Sequence, residues 1–369
     1  MEHILGNESL KEHFMSAIRH GKVSHAYIIE GERGSGKKTM AEGFARLLQC
    51  ENLQLTGASV KACGTCPACI MMDHLDHPDV IRVSHEKPNV IRVDEVRGQL
   101  VNTVDVMPYK GPYKIYIIDE AEKMNPAAQN ALLKSIEEPP PYAVIMLLTS
   151  SRGAFLPTIL SRCILLSMKP LPDAQVRDYL TERCGAAHDL AEFVAGFAMG
   201  NIGRAREAAS SEDFIRLRDL GLSVLRYIYE MEDYQIAGKV KELKEWKNQI
   251  GDYLDMMRIW FRDILVLKAL GSSRKDARQD RSGSGRKLNF ANAFAGELIY
   301  KNEYTHISRQ SQMLDFEGLN HIMGLIDQAA GRIRANVNFE TVMELLHMEI
   351  RNQYITAQNR DGVLSSYKS

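Results

Sequence analysis

The sequence predicts an α/β domain, built on a mainly parallel sheet with helices on both faces, followed by an all-helical region. Three observations carry this expectation. A glycine-rich phosphate-binding loop sits between a strand-like run and a helix-like one. Short continuous apolar runs alternate with helical stretches over residues 1–168. Strand signals then fade after Lys169-Pro170-Leu171-Pro172. Alternating strands and helices form a parallel sheet covered on both sides. Strands buried on both faces read as unbroken apolar runs, as these do.

The first strand-like run, Ala26-Tyr27-Ile28-Ile29, leads into Gly31-Glu32-Arg33-Gly34-Ser35-Gly36-Lys37-Lys38-Thr39. The pattern G-x-x-x-x-G-K-[ST] is met at Gly31, Gly36 and Lys37, but Lys38 stands where the hydroxyl residue belongs. Residues 37–48 read as a helix with Met40, Phe44, Leu47 and Leu48 on one face. In this context backbone N–H groups point at a phosphate and the helix dipole favours the anion. Gly31, Gly34, Gly36 and Lys37 are the candidate nucleotide contacts, with Lys37 a cation for the outer phosphates. The absent hydroxyl normally sits on Mg²⁺, so the loop predicts a nucleotide site more strongly than it predicts hydrolysis.

Further strands are expected at Val80-Ile81-Arg82-Val83, Ile115-Tyr116-Ile117-Ile118, residues 143–148 and Ile164-Leu165-Leu166. Helices are expected at residues 94–104 and 126–136. The second opens on Pro126, which suits a first helical turn, and sets Ala131, Leu132 and Ser135 at helical spacing. Past residue 168 come short helices at 173–183 and 188–198, then Gly200-Asn201-Ile202-Gly203 and a third. A longer helical region begins near Ser211. Within it, residues 271–287 are poor in apolar side chains and carry Ser282-Gly283-Ser284-Gly285 among basic residues, the composition of a mobile loop or linker. The last helix offers an apolar stripe of Val342, Leu345, Leu346 and Ile350, interrupted at Glu349.

With 369 residues, 45% hydrophobic and 25% charged, the chain has an ordinary globular composition and room for two or three domains. A net charge of −1 argues against a surface that coats nucleic acid wholesale, although a local basic patch is compatible with it. The N-terminus lacks a basic stretch followed by an apolar core, and no apolar run nears the roughly 20 residues that span a bilayer. A cytoplasmic location without a membrane partner is expected. In that reducing setting the six cysteines point to metal or packing rather than to disulfides.

Cys50, Cys63, Cys66 and Cys69 form C-x12-C-x2-C-x2-C. Four thiolates suit tetrahedral Zn²⁺, and the two-residue gaps let successive ligands turn onto one ion. Gly64-Thr65 and Pro67-Ala68 supply turn formers in those gaps. With every ligand position filled by protein, the site is expected to be structural rather than catalytic. His74 and His77 lie nearby, but four cysteines need no help. Cys163 and Cys184 stand in unrelated segments and are expected to be buried packing residues.

Ile115-Tyr116-Ile117-Ile118 ends in two carboxylates, Asp119 and Glu120. In an open parallel sheet, ligands bind beyond the carboxyl ends of the strands. Asp119 is thus placed to hold Mg²⁺, directly or through water, and Glu120 to polarise an attacking water. Arg162, in Leu156-Pro157-Thr158-Ile159-Leu160-Ser161-Arg162-Cys163, is either a surface arginine or a cation offered to a phosphate, in its own site or a neighbour's. Spacing alone does not choose.

Five segments come in one order: the phosphate loop, the four-cysteine insertion, Tyr116-Ile117-Ile118-Asp119-Glu120-Ala121-Glu122-Lys123-Met124, Asn130-Ala131-Leu132-Leu133-Lys134-Ser135-Ile136-Glu137-Glu138-Pro139-Pro140 and Thr158-Ile159-Leu160-Ser161-Arg162-Cys163. Together they resemble the clamp-loader subunits of bacterial DNA polymerase III, a branch of the AAA+ family. The motifs span about residues 4–210; the remainder matches only in length and helical character. Lys38 at the hydroxyl position and the segment from Phe155 to Cys163 are more similar to the delta-prime branch than to gamma/tau, the ATPase motor.

The resemblance implies a AAA+ P-loop domain over residues 1–168 with its zinc module at 50–69, a small helical lid over 169–210, and a helical collar over 211–369 that holds a ring of subunits together. It implies that Arg162 is an arginine finger given in trans to a neighbour's ATP. Thr149 or Ser150 takes the first sensor position and Arg204 the second. Thr39 partly replaces the lost hydroxyl, although a helix turns it by about 100° from the proper place. ATP or ADP with Mg²⁺ is the implied nucleotide. Gamma/tau and delta subunits are the implied partners, with the sliding clamp and primed DNA reached through the complex. Little or no ATPase is expected of the chain itself. A guanidinium supplied by a neighbour raises phosphoryl-transfer rates by about 10³ to 10⁵, so such a subunit can still be essential to turnover. Two alternatives remain. One is a gamma-like active ATPase, favoured by Lys37, Asp119 and Glu120 and opposed by Lys38. The other is a zinc-dependent nucleic-acid-binding module with a vestigial loop, permitted by the cysteines but not favoured by the near-neutral charge or the Ser161-Arg162-Cys163 segment.

Overall fold

The computed structural model describes residues 4–57, 59–278 and 298–366. The chain divides into two compact units: Met1–Val176 with Met199–Arg204, and Arg177–Ala198 with Ala205–Ser369.

In the first unit the order is α1 (Glu8–Arg19), β1 (Ala26–Glu30), α2 (Lys37–Gln49), a hairpin of β2 (Gln54–Thr56) and β3 (Ser59–Lys61), α3 (Pro67–Asp73), β4 (Val80–Val83), α4 (Val93–Val96), β5 (Lys114–Ile118), α5 (Pro126–Glu137), β6 (Ala143–Thr149), α6 (Pro157–Leu160) and β7 (Ile164–Ser167). The five-stranded sheet runs β4-β5-β6-β1-β7 with every neighbouring pair parallel. Side chains alternate across a strand with period two, and the two cores divide accordingly. Tyr27, Ile29, Ile115, Ile117, Val144, Met146 and Leu148 pack with Phe14, Met40 and Phe44 of α1 and α2. Ala26, Ile28, Tyr116, Ile118, Ile145 and Leu147 pack with Leu100, Leu132 and Ile136 on the opposite face. The rings of Phe14 and Phe44 stack with centroids 4.0 Å apart. In register, Glu30 at the end of β1 stands beside Thr149 at the end of β6. The loops that follow these strands therefore start level with one another.

The helix expected at 94–104 is shorter and wider. It is α-helical only over Val93–Val96 and opens into a π-helical turn over Arg97–Val101. Val96, Leu100 and Val104 are all buried and stand four residues apart. A four-residue step overshoots a full turn in an α-helix and falls short of one in the wider π turn, so the mixture of the two keeps the three side chains on one face. The two short strands β2 and β3 carry no apolar run long enough to be read from the sequence.

The second unit is helical: α8 (His188–Phe197), α10 (Glu212–Leu225), α11 (Asp233–Leu243), α12 (Ile250–Arg278), α13 (Tyr304–Met313), α14 (Phe316–Arg334) and α15 (Phe339–Ser366). α7 (Asp173–Cys184) and α9 (Ile202–Ser210) contribute residues to both units. Gln310 is a buried polar hub of this unit. Its Oε1 accepts from Trp260 Nε1 and Tyr354 Oη, each at 2.9 Å, and its Nε2 donates to the Leu225 carbonyl at 2.7 Å. Fully satisfied networks of this kind specify one packing arrangement.

Three expectations are corrected here. Leu345 is 43% exposed and leaves the apolar stripe of α15, which Met343, His347 and Tyr354 complete beside Val342, Leu346 and Ile350. Cys184 is exposed near the end of α7, not buried, whereas Cys163 is half-buried against the sheet core. Residues 271–278 continue α12 where a loop was expected, and 279–287 lie outside the described residues. Among the described residues no helix is long and apolar enough to cross a membrane.

Candidate functional site

The glycine loop leaves β1 and closes into α2 through two left-handed residues, Gly34 with φ +85° and Gly36 with φ +95°. A side chain is strained in that conformation, which is why glycine stands there. Gly31 N donates to the Thr149 carbonyl at 3.0 Å, fixing the loop to the end of β6. Lys37 is buried and folds back on the loop, its Nζ donating to the Gly31 carbonyl at 2.6 Å and the Glu32 carbonyl at 2.8 Å. Burial holds its ammonium below the ordinary lysine value, against the opposing pull of Asp119, Glu122, Glu120 and Glu32. Lys38 and Thr39 are both exposed on the first turn of α2.

Beyond the end of β5, Asp119 Oδ1 accepts from Glu120 N at 3.0 Å. Glu120 is itself left-handed, with φ +50°, and its carboxylate meets Lys123 Nζ at 2.5 Å. Thr149 is fully buried, and its Oγ1 is spent on Ser151, accepting from the N–H and donating to the carbonyl at 3.1 Å each. Ser150 Oγ donates to Glu122 Oε1 at 2.6 Å. Burial pushes the Glu122 carboxyl up, but the Ser150 bond and neighbouring donors outweigh it and leave it below the ordinary value. Glu122 Oε2 is buried with no protein partner. Sequence reading missed Glu122; its signal is a third acid in the turn after an apolar strand.

Arg204 belongs to the same unit as the loop. Its N–H donates to Asn201 Oδ1 at 3.1 Å, and Asn201 Nδ2 reaches the Arg33 carbonyl at 2.7 Å. Gly203 N donates to the Gly34 carbonyl at 2.9 Å. A Cβ on Gly203 would lie 2.6 Å from the Gly34 carbonyl oxygen, so the two backbones approach as only glycine allows. Asn201, also missed from sequence, ties residues 199–204 to the phosphate loop. The structure therefore gathers Gly31, Gly34, Gly36, Lys37, Asp119, Glu120, Thr149, Ser150 and Arg204 around one loop. Arg162 stands apart. It is exposed, with Nε 3.1 Å from Glu137 Oε1 and Nη1 donating to the Thr158 carbonyl at 3.0 Å and Ser161 Oγ at 3.1 Å.

The second constellation is the four thiols. The Sγ atoms of Cys50, Cys63, Cys66 and Cys69 all lie within 4.8 Å of one another. Those of Cys50 and Cys63 are 3.7 Å apart. Tetrahedral Zn²⁺ at about 2.3 Å from each sulfur sets neighbouring sulfurs about 3.8 Å apart, so the set fits such an ion. Backbone N–H groups donate to three of these sulfurs: Cys63 N to Cys50 at 3.3 Å, Cys66 N to Cys63 at 3.3 Å and Cys69 N to Cys66 at 3.4 Å. Donors from Thr65 and Cys66 pull the Cys63 thiol down to about 6, while burial pushes Cys69 up to about 12. Cys50 caps the C-terminus of α2, and Cys66 caps the N-terminus of α3.

Comparisons with known proteins find similarity to DNA polymerase III subunits. Residues 6–172 match the model of a family described as DNA polymerase III, delta subunit. The DNA polymerase III subunit delta' of Pseudomonas aeruginosa is 40% identical over 152 residues, 41% of this chain and 44% of that one. The subunit delta' of Bacillus subtilis is 25% identical over 335 residues, 90% of this chain and 92% of that one. The tau/gamma subunit of Haemophilus influenzae is 30% identical over 234 residues, 62% of this chain and 31% of that one. The chain spans between 28% and 50% of the length of the first tau and gamma relatives it matches. A gamma subunit-related protein of Thermotoga maritima of known structure is 19% identical, covering 92% of this chain and 99% of that one with a TM-score of 0.44. Over residues 6–172 the chain is thus similar to the DNA polymerase III, delta subunit family.

Proposed function

We propose that the chain is a delta-prime-type subunit of a DNA polymerase III clamp loader, which opens a ring-shaped sliding clamp and leaves it on primed DNA. The observation that carries this is the pairing of a lysine at the hydroxyl position of the phosphate loop, Lys38, with an exposed arginine on the turn before β7, Arg162. The first weakens the chain's own Mg²⁺ site. The second offers a bidentate cation on the exposed surface. Arg162 is then an arginine finger for the ATP of a neighbouring gamma/tau subunit. Residues 169–210 act as a lid and 211–369 as a collar in a ring that also holds delta. The relatives named delta' support the assignment.

The four thiols hold one structural Zn²⁺. Lys37, the loop glycines, Asp119, Ser150 and Arg204 line a site for ATP or ADP, with Thr149 buried behind them and Glu120 the weakest member because Lys123 occupies its carboxylate. The protein works in the cytoplasm. The test is a reconstituted complex of this chain with gamma/tau, delta, clamp and primed DNA: Arg162→Ala should assemble yet lose stimulated ATPase and clamp loading. Normal stimulated turnover in an intact complex overturns the trans-finger role. A gamma-like reading draws on the gathered Lys37 and Asp119, and ATP turnover by the isolated chain decides for it.

A further inference from the structure

A four-thiolate zinc centre carries two surplus negative charges, and the structure offers a cation to meet them. Arg46 lies on α2, one helical turn before Cys50. Its guanidinium grips Asp73 with a fork, Nη1 to Oδ1 at 2.6 Å and Nη2 to Oδ2 at 3.0 Å. Asp73 is the last residue of α3, the helix that carries Cys69. The same guanidinium lies close enough to Cys69 to attract a thiolate there. Its Nη2 also lies 3.9 Å from where a Cβ on Gly64 would sit, in the turn between Cys63 and Cys66. The Arg46 side chain is 29% exposed and that of Asp73 51%. An exposed ion pair alone contributes little to stability, so a stabilising role needs another object.

We propose that Arg46 is a positioning residue for the metal centre: it neutralises part of the thiolate charge through Cys69 and, through Asp73, locks α3 against α2 so that ligands from two elements converge on one ion. The proposal rests on the zinc reading and extends it. Outer partners of metal ligands commonly govern affinity by about 10- to 100-fold. The fork matters as well as the charge, because a lysine cannot span both Asp73 oxygens while facing a sulfur.

The experiment transfers zinc from the full chain to an excess of a chromophoric chelator at neutral pH. It compares wild type, Arg46→Ala, Arg46→Lys and Asp73→Asn. Wild type should carry about one zinc per chain and release it slowly. Arg46→Ala should release it about 10- to 100-fold more readily. Arg46→Lys should fall between the two, and Asp73→Asn should shift in the same direction as Arg46→Ala. Cobalt substitution adds a spectroscopic readout: the visible bands of the wild-type four-sulfur centre should shift or broaden in Arg46→Ala. Thermal melting of the remaining fold should stay near wild type. Zinc release and cobalt bands within twofold of wild type in Arg46→Ala overturn the proposal and leave the zinc reading standing. So does a lysine variant no better than alanine for the charge argument. A folded wild type without zinc overturns both.

Discussion

Lys37 and Cys50 stand at the two ends of one helix: Lys37 opens α2 beside the phosphate loop, and Cys50 caps its C-terminus as the first of the four thiols. At 1.5 Å per residue the helix separates them by about 20 Å. The candidate nucleotide site and the candidate metal site thus share a rigid element whose buried face, Met40, Phe44 and Leu48, is packed on the sheet. The four-thiol segment anchors the far end of the helix that presents Lys37.

Removing one thiol should empty the metal centre. Protein purified without chelator should contain about one zinc per chain by metal analysis, and Cys66→Ser should contain little. Because Cys66 also caps α3, protease cleavage should rise within residues 50–73 while the helical unit stays intact. Full zinc content in Cys66→Ser would remove that cysteine from the ligand set.

The isolated chain should turn over ATP poorly. Lys38 supplies no hydroxyl for Mg²⁺ and adds a positive charge at the start of α2. Lys38→Thr should tighten nucleotide binding, read by fluorescence titration of a labelled ATP analogue. Equal affinity in both proteins would show that the missing hydroxyl does not limit the site.

Arg162→Ala should leave the melting temperature nearly unchanged. Its partner Glu137 is half-exposed, and such a pair contributes about 0–1 kcal/mol. Glu137→Gln should be equally mild and should keep stimulated ATPase in the reconstituted complex, since it frees the guanidinium rather than removing it. Loss of assembly in Arg162→Ala would instead mark the arginine as a structural contact.

Stability of the helical unit should fall in mild acid because of His347. Its Nδ1 faces the Met343 carbonyl at 2.6 Å and so carries the proton, leaving Nε2 to accept from Tyr253 Oη at 2.7 Å. Complete burial pushes this histidine down to about 4, against the helping pull of the Met343 carbonyl. The folded state holds the ring neutral, whereas the unfolded chain takes up a proton near pH 6.5. Stability is therefore full above about pH 6.5, declines as pH falls toward about 4, and has then lost about 3 kcal/mol. Urea titrations at pH 7 and pH 4 should show a smaller drop for His347→Gln by roughly that amount. Identical drops would place the acid sensitivity elsewhere.

Much of the site was legible because it is local. The glycines, Lys37 and Lys38 form one continuous loop, the two-residue cysteine gaps dictate a turn, and apolar runs bounded by Asp119 or by the glycine loop mark strands buried on both faces. None of these needs a distant partner to be recognised. Tertiary structure decided what depends on contacts between remote segments. Asn201 reaches the Arg33 carbonyl from far along the chain, and Gln310 gathers Trp260 and Tyr354 from other helices. Arg46 meets Asp73 only because α2 and α3 pack together. Leu345 leaves the stripe that periodicity assigns it and His347 is buried instead, for the face a helix buries is chosen by its neighbours and not by its own pattern alone. The sequence by itself determined the strand–loop–helix core, the four-thiol set and the change to an all-helical region. The fold decided which side chains hold those pieces in register, since such bonds form only once burial has brought separate elements within hydrogen-bonding reach.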